Sequence, residues 1–264
     1  MLSKEHVQRN KLLSLIYRFT TQFFDVGRLA RAPGAFLKFL SSYVKYRQME
    51  KTLPAHILDW QPEIHDRTAE TPFDPHYFYQ SYWAFKRIVS SRVTRHLDVA
   101  SQVDLLRYLS AIMQVTFVDI RPLRVQLENC QLDTGSIVNL PYPDGAWQSV
   151  SCLHVIEHIG LGRYGDLLDP FGSQKAAGEL TRVLSPGGVL YLSTPIGKPR
   201  VCFNAHRVRS PRQVISLFPE LALEEFSVID DSGSLIENTS FQGYESSHYA
   251  CGLFRFRRKK NGVH

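Results

Sequence analysis

From residue 94 onward, short β-branched and aliphatic runs alternate with stretches of helical character, and this alternation limits the fold more than any other feature. Arg95-His96-Leu97-Asp98-Val99 reads as a short buried strand with an acid near its end. Leu105 to Met113 has helical spacing. Val115-Thr116-Phe117-Val118-Asp119-Ile120 is a second strand closing on an acid, and Trp147 to Leu153 is a third. Helix signals continue through Lys175-Ala176-Ala177-Gly178-Glu179-Leu180 until Ser185-Pro186-Gly187-Gly188 stops them. Val189-Leu190-Tyr191-Leu192-Ser193 is a strand directly after that turn. Strands separated by helices at this spacing predict a mostly parallel sheet with helices on both faces. Leu221–Asp230 and Tyr249–Arg257 are two further strand-like segments, predicted to form a final antiparallel pair. Asp230-Asp231-Ser232-Gly233 opens the polar connector between them.

Parallel sheets of this kind bind ligands at the carboxyl ends of their strands. Asp98 and Asp119 both fall there, 21 residues apart. An acid about 20 residues after a first strand–turn–helix is what a nucleoside site uses to hold ribose hydroxyls. A carboxylate suits that task because it accepts two hydrogen bonds from a cis-diol. Aspartate also ends strands as a plain turn former, so the spacing by itself leaves both readings open.

Composition narrows the class. With 264 residues, 44% hydrophobic and 21% charged, the chain can bury one sizeable core and is not a disordered one. No run of 18 apolar residues is present, and the start lacks the small-residue cleavage site of a secretory signal, so a cytoplasmic protein is expected. The net charge of +6 is unevenly placed: residues 1–52 carry +7, the last ten carry +5, and the body between carries −6. An acidic body argues against nucleic acid as a partner, while basic ends suit an anionic surface. Cys130, Cys152, Cys202 and Cys251 form no C-x-x-C pair and read as reduced, buried thiols. No metal ligand set is assigned to them.

Residues 1–92 read as an N-terminal helical arm and connector, and residues 93–264 as the main domain. Leu12, Leu15, Ile16, Phe19 and Phe23 share one helical face, Pro33 and Gly34 break the helix, and a second helical stretch runs from Phe36 through Arg47. Pro54, Pro62, Pro72 and Pro75 mark residues 52–76 as connector. Two readings of the basic, Phe-rich arm stay open: it caps the main domain, or it makes peripheral contact with a membrane surface.

Three segments carry a family resemblance. Gly135-Ser136-Ile137-Val138-Asn139-Leu140-Pro141-Tyr142-Pro143-Asp144 precedes Ser151-Cys152-Leu153-His154-Val155-Ile156-Glu157-His158. The run Glu179-Leu180-Thr181-Arg182-Val183-Leu184-Ser185-Pro186-Gly187-Gly188 follows. In this order the chain resembles class I S-adenosylmethionine-dependent methyltransferases over roughly residues 94–230. More narrowly it is similar to a methyltransferase-like family of unknown function associated with surface-polysaccharide synthesis. His76-Tyr77, Asp119-Ile120-Arg121-Pro122-Leu123, His154 through Gly160, Phe203-Asn204-Ala205-His206-Arg207 and Ala250 through Phe254 carry that likeness.

The resemblance implies a Rossmann-like α/β sheet, S-adenosylmethionine as cofactor, and methyl transfer to an oxygen of a sugar or polysaccharide precursor. It places Asp98, Ala100 and Ser101 beside the methionine end of the cofactor. Asp119 would lie on the ribose, Ser136 and Ile137 beside the adenine, and the Leu153-His154 backbone along the methionine. The glycine-rich turn of the family departs from its pattern. Here it reads Asp98-Val99-Ala100-Ser101-Gln102-Val103-Asp104, so three positions that use positive φ and close backbone approach carry Ala, Gln and Asp. Ser136 stands where an adenine-side acid is common.

An acceptor hydroxyl needs a base or at least orientation, and His154, His206 and Asp169 are the candidates, with His154 leading. The loop Ile159 to Asp169 is either an acceptor rim, with Arg163 and Tyr164 available to a sugar or phosphate, or a plain surface loop. Two other readings stand beside methyl transfer. One is an interaction protein that keeps the fold without catalysis. The other, more distant, takes His154-Val155-Ile156-Glu157-His158 as the H-x-x-E-H of a zinc peptidase, with Glu224 or Glu225 as third ligand.

Overall fold

A computed structural model describes Thr20, residues 25–49, Leu53 and residues 55–260. The chain forms two compact units, Met1–Pro72 and Phe73–His264. In the first, helix α1 (Val26–Met49) runs straight through Pro33. The expected break at Pro33-Gly34 does not occur, because proline removes one i→i−4 bond while the bonds on either side persist. Phe39 and Tyr43 of α1 pack edge-on against Trp60 at 5.1 and 4.7 Å, and the Tyr43 hydroxyl donates to the Ala55 carbonyl. The expected apolar face Leu12–Phe23 lies outside the described residues.

The second unit begins at Phe73, ahead of the boundary at residue 93 drawn from the sequence, because residues just beyond it form a core helix. This is α2 (Pro75–Ser90). Asp74 caps it by accepting from the His76 and Tyr77 backbone amides, and Pro75 occupies the first turn, where its missing N–H costs nothing. Trp83, Ala84 and Ile88 on one face are fully buried.

The sheet strands are β1 (Arg95–Val99), β2 (Gln114–Asp119), β3 (Cys130–Thr134), β4 (Trp147–Leu153) and β5 (Leu184–Ile196), then β8 (Leu221–Ile229), β9 (Leu235–Ile236) and β10 (Ala250–Arg258). β6 (Arg200–Cys202) and β7 (His206–Val208) form a separate hairpin. The sheet order is β3-β2-β1-β4-β5-β10-β8-β9. The first five strands pair in parallel, and β10 inserts antiparallel between β5 and β8. This is the mostly parallel α/β sheet with an antiparallel last strand that the sequence predicts.

Helices cover both faces. On one, α2 and α3 (Val103–Ser110) bury Trp83, Ile88, Leu105 and Leu109 against Phe117 and Tyr191. On the other, α4 (Gly172–Val183) and α5 (Pro211–Ser216) lie over Val150, Leu192 and Phe254. Helix α4 stops at Val183, before the Pro-Gly-Gly turn expected to stop it, and β5 already begins at Leu184. Between β1 and β4 the buried His96 ring contacts the Ser149 and Ser151 hydroxyls at 2.7 and 2.8 Å. Burial pushes its pKa down to about 3, so it ties the two strands as a neutral group.

Arg182 explains why the Leu-Pro-Tyr-Pro-Asp and Glu-x-x-Arg segments occur together. Its guanidinium donates to the Leu140 and Tyr142 carbonyls and pairs with Asp144 and Glu179. Glu179 in turn accepts from the Leu140 amide at 2.7 Å. These residues lash the loop before β4 to α4 and so fix the start of that strand.

Candidate active site

The chain turns sharply where β1, β2 and β4 end. After β1, Ala100 adopts φ +54 and its amide donates to the Val118 carbonyl on β2. A residue with a Cβ thus keeps the left-handed conformation that glycine favours. After β4, His154 is likewise left-handed, at φ +55. Between these turns opens a cleft of about 460 Å³, lined by Ala100, Asp119, Ser136, Ile137, His154 and His158 among others. A second hollow of about 480 Å³ adjoins it, lined by Ser101, Gln102, Leu153 and Tyr77 among others. Ala100, Asp119, Arg121, His154 and Tyr164 line both.

Asp98 lies behind the turn. Its carboxylate is fully buried, lines neither hollow, and accepts from the Ser101 hydroxyl and, at 2.7 Å, from Ser151. Ser101 Oγ also accepts from the Leu153 amide at 3.0 Å, so Asp98 latches the end of β1 to that of β4. Burial raises the Asp98 carboxyl to about 6, and its Oδ2 finds no partner among the described residues. Asp104 points away from the turn: it is half-exposed, pairs with Arg107 at 3.3 Å and lines neither hollow.

Asp119 ends β2 and is nearly buried. Its Oδ1 accepts from the Arg121 amide at 2.7 Å, and the Arg121 guanidinium lies 4.5 Å from the centre of the Tyr164 ring. Ser136 and Ile137 follow β3, which the sequence reading did not identify, and stand beside Asp119 across the cleft wall. The rim from Gly160 to Asp169 is a pinned loop. The Asp166 carboxylate accepts from the Gly160 amide at 2.7 Å, and the Asp169 amide donates to the Gly160 carbonyl at 3.0 Å.

The three candidate bases are differently placed. His154 reaches both hollows; its Nδ1 stands 2.7 Å from the Glu157 carboxylate, while its buried Nε2 finds no hydrogen-bond partner among the described residues. Burial opposes charge on this pair, yet each partner favours the other's ion. Glu157 is held below the usual carboxylate range, and His154 is raised by Cys251 and Glu157. His206 is half-buried, lines neither hollow, and packs against Tyr249 at 5.1 Å. Asp169 lines the cleft, but its carboxylate is spent on Lys175 at 2.7 Å and on the Phe171 amide at 2.8 Å. Those bonds lower its pKa and make it a poor proton acceptor.

Residues 154–158 do not form the helix that the zinc-peptidase reading needs; they are a bend and turn, with α4 starting only at Gly172. Glu157 has no exposed surface, and His158 Nδ1 contacts the Ala205 carbonyl at 2.6 Å. Glu224 pairs with Arg255 and Arg257, and Glu225 with Arg87 and Trp83. Neither is free to be a third ligand.

Sequence reasoning missed a ring cluster around His154. His76 stacks on it at 5.5 Å and Tyr77 leans on it at 5.3 Å. Tyr249 stacks on His76 at 5.3 Å. Burial, the largest influence, lowers the His76 pKa to about 4, so this ring is neutral near pH 7. The Asp74-Pro75 cap was the one available signal that a helix brings His76 here.

Comparison with solved structures settles what kind of sheet this is. A structure described as a "putative sarcosine dimethylglycine methyltransferase" from Galdieria sulphuraria matches at TM-score 0.50 with 14% identity, over 69% of this chain and 86% of that one. The fold is that of the class I methyltransferases. YcgJ from Bacillus subtilis matches at TM-score 0.49 and 14% identity, over 69% of this chain and all of that one. The N-methyltransferase NodS from Bradyrhizobium japonicum WM9, in complex with S-adenosyl-L-homocysteine, matches at TM-score 0.49 and 17% identity, over 75% of this chain and 91% of that one. At such identities the likeness extends to the fold alone. A family model described as "Caenorhabditis protein of unknown function, DUF268" matches residues 142–228. No curated protein matches this chain.

Proposed function

We propose that the chain is an S-adenosylmethionine-dependent methyltransferase acting on a small acceptor, with the cofactor in the 460 Å³ cleft. The observation that carries this reading is the cleft at the carboxyl ends of β1, β2 and β4, with Asp119 at the end of β2 beside Ser136 and Ile137. Its volume suits a cofactor-sized ligand. Asp119 would accept from the ribose hydroxyls, Ser136 and Ile137 would flank the adenine, and Ala100 and His154 would border the methionine. Asp98 and Ser101 would act from behind by holding the turn. The bound cofactor supplies an electrophilic methyl group. His154, with Nδ1 committed to Glu157, is the group assigned to the acceptor side. Arg121, Tyr164 and Arg163 around the rim support a sugar or polysaccharide precursor as acceptor, since aromatic faces and guanidinium donors suit polyhydroxylated ligands.

Calorimetric titration with S-adenosylhomocysteine tests the cofactor half. Wild type is expected to bind, and Asp119→Ala to bind at least about tenfold more weakly, as befits the loss of charge-assisted hydrogen bonds. A folded wild type that does not bind would overturn the reading and favour a non-catalytic interaction protein. Label transferred from methyl-labelled cofactor to the oxygen of a sugar acceptor tests the other half.

A further inference from the structure

Three residues remote in sequence meet beside the cleft: His76 in the first turn of α2, His154 after β4, and Cys251 in β10. One nitrogen from each imidazole and the Cys251 sulfur all lie within 4.8 Å of one another. The arrangement of His154 is the telling part. An imidazole that gives its Nδ1–H to a carboxylate keeps its lone pair on Nε2, and metal-ligating histidines are oriented in this way by a second partner. Glu157 supplies that partner at 2.7 Å, and the Nε2 left over is buried without a hydrogen-bond partner among the described residues. The Cys251 thiol is the other neighbour of that ring, its sulfur within 4.8 Å of the ligating nitrogens, and an ion would join the two by displacing their protons. On the far side, His76 stacks parallel to His154, half-buried on a helix end.

We propose that His76, His154 and Cys251 bind one divalent transition-metal ion of the zinc class, with Glu157 as the positioning residue for His154, whose Nε2 then serves the ion and not the acceptor as a free base. Two imidazoles and a thiolate form a borderline-soft donor set that suits zinc and offers little to magnesium or calcium. Three protein ligands leave a tetrahedral ion one further position, the pattern of catalytic rather than structural zinc. A bound ion needs donor atoms about 3.5 Å apart, so the site closes by a modest swing of a side chain. His76, at the partly exposed edge, is the one able to make it. A Cys–His–Glu nucleophile explains the same residues less well, because Cys251 has no exposed surface on β10 for a substrate to reach.

The test is cobalt(II) titration of the full, untagged, metal-stripped chain, followed by zinc competition. Wild type is expected to take up one equivalent with a near-ultraviolet sulfur-to-cobalt charge-transfer band that zinc abolishes. Cys251→Ser should lose the band, His76→Ala should lose tight binding, and Glu157→Gln should bind about 10–100-fold more weakly. A folded wild type that takes up no cobalt, or shows no sulfur band, overturns the proposal. So does a His76→Ala variant that binds as wild type does, and that variant suffices should Cys251→Ser fail to fold. Every measurement is made without S-adenosylmethionine. A chain that binds cobalt but no S-adenosylhomocysteine would keep this site and lose the cofactor reading, and the reverse result would do the opposite.

Discussion

The Glu157 carboxylate stands 2.7 Å from Nδ1 of His154 and has no exposed surface at all. Thr194 adds a second donor to it at 3.3 Å. A buried acid survives only when its partners outweigh the loss of water, and removing either member leaves the other unpaired in a dry place. Glu157→Ala should therefore lower unfolding free energy by about 3 kcal/mol, while Glu157→Gln, which keeps an acceptor for the imidazole, should cost nearer 1 kcal/mol. Urea denaturation gives both values. An Ala variant within about 0.5 kcal/mol of wild type would show that the pair does not hold this turn.

Asp98 gives the chain a pH dependence of opposite sign to that of a salt-bridged acid. Burial raises its carboxyl to about 6, whereas in the unfolded chain it titrates near 4. Between those values the folded state holds a proton that the unfolded state has released. The group's contribution is thus complete below about pH 4 and is lost as pH rises through about 6, by about 3 kcal/mol in all. Asp98→Asn abolishes the titration. Its stability relative to wild type should improve between pH 4.5 and pH 7.5, read as the difference between paired denaturation curves. A pH-independent difference would mean that Asp98 stays ionised when buried.

How much of this could be read in the sequence depends on how far apart the interacting residues lie. β1, β2, β4 and β5 were legible because each is a buried run with aliphatic, aromatic or β-branched residues set between helix or turn signals, and β8 and β10 came within one residue of their ends. β3 escaped because Cys130-Gln131-Leu132-Asp133-Thr134 is an edge strand, half-exposed and without a β-branched run. The Pro75 that looked like connector is the first residue of α2, a case where proline starts a helix instead of ending one. Asp119 and His154 were legible because each stands at a strand end, whereas Ser136 and Ile137 were named only through the family resemblance, the strand before them having gone unread. The meeting of His76 with Cys251 was not, since it depends on β10 inserting between β5 and β8. Nor was the commitment of Asp169 to Lys175 visible, because no motif records which acid a nearby lysine takes.

Ala100 is the position where the chain departs from a glycine-rich turn and still keeps its geometry. At φ +54 its methyl group costs about 1–2 kcal/mol relative to an unstrained residue, against about 0.5–1 kcal/mol for the greater unfolded-state freedom of glycine. Ala100→Gly should accordingly stabilise the protein by about 0.5–1 kcal/mol. Because Ala100 lines both hollows, the same variant should bind S-adenosylhomocysteine at least as tightly as wild type. Weaker binding in a stabilised variant would mean that the methyl group is itself part of the ligand's wall.

Gly160 and Gly165 separate backbone strain from steric clash in the cleft rim. Both are left-handed, at φ +80 and +85, so a Cβ strains either one by a similar amount. Their surroundings differ. A Cβ on Gly160 would sit 2.0 Å from the Asp169 carbonyl oxygen, whereas one on Gly165 meets nothing within 4 Å. Gly165→Ala should cost about 1 kcal/mol, the price of the conformation alone. Gly160→Ala must also push residues 160 and 169 apart, breaking the hydrogen bond between them and the loop that Asp166 gathers. Its cost should exceed 2 kcal/mol, with accelerated amide exchange across residues 159–172 and weaker S-adenosylhomocysteine binding. Equal costs for the two variants would show that the loop yields freely at Asp169 and does not hold the rim.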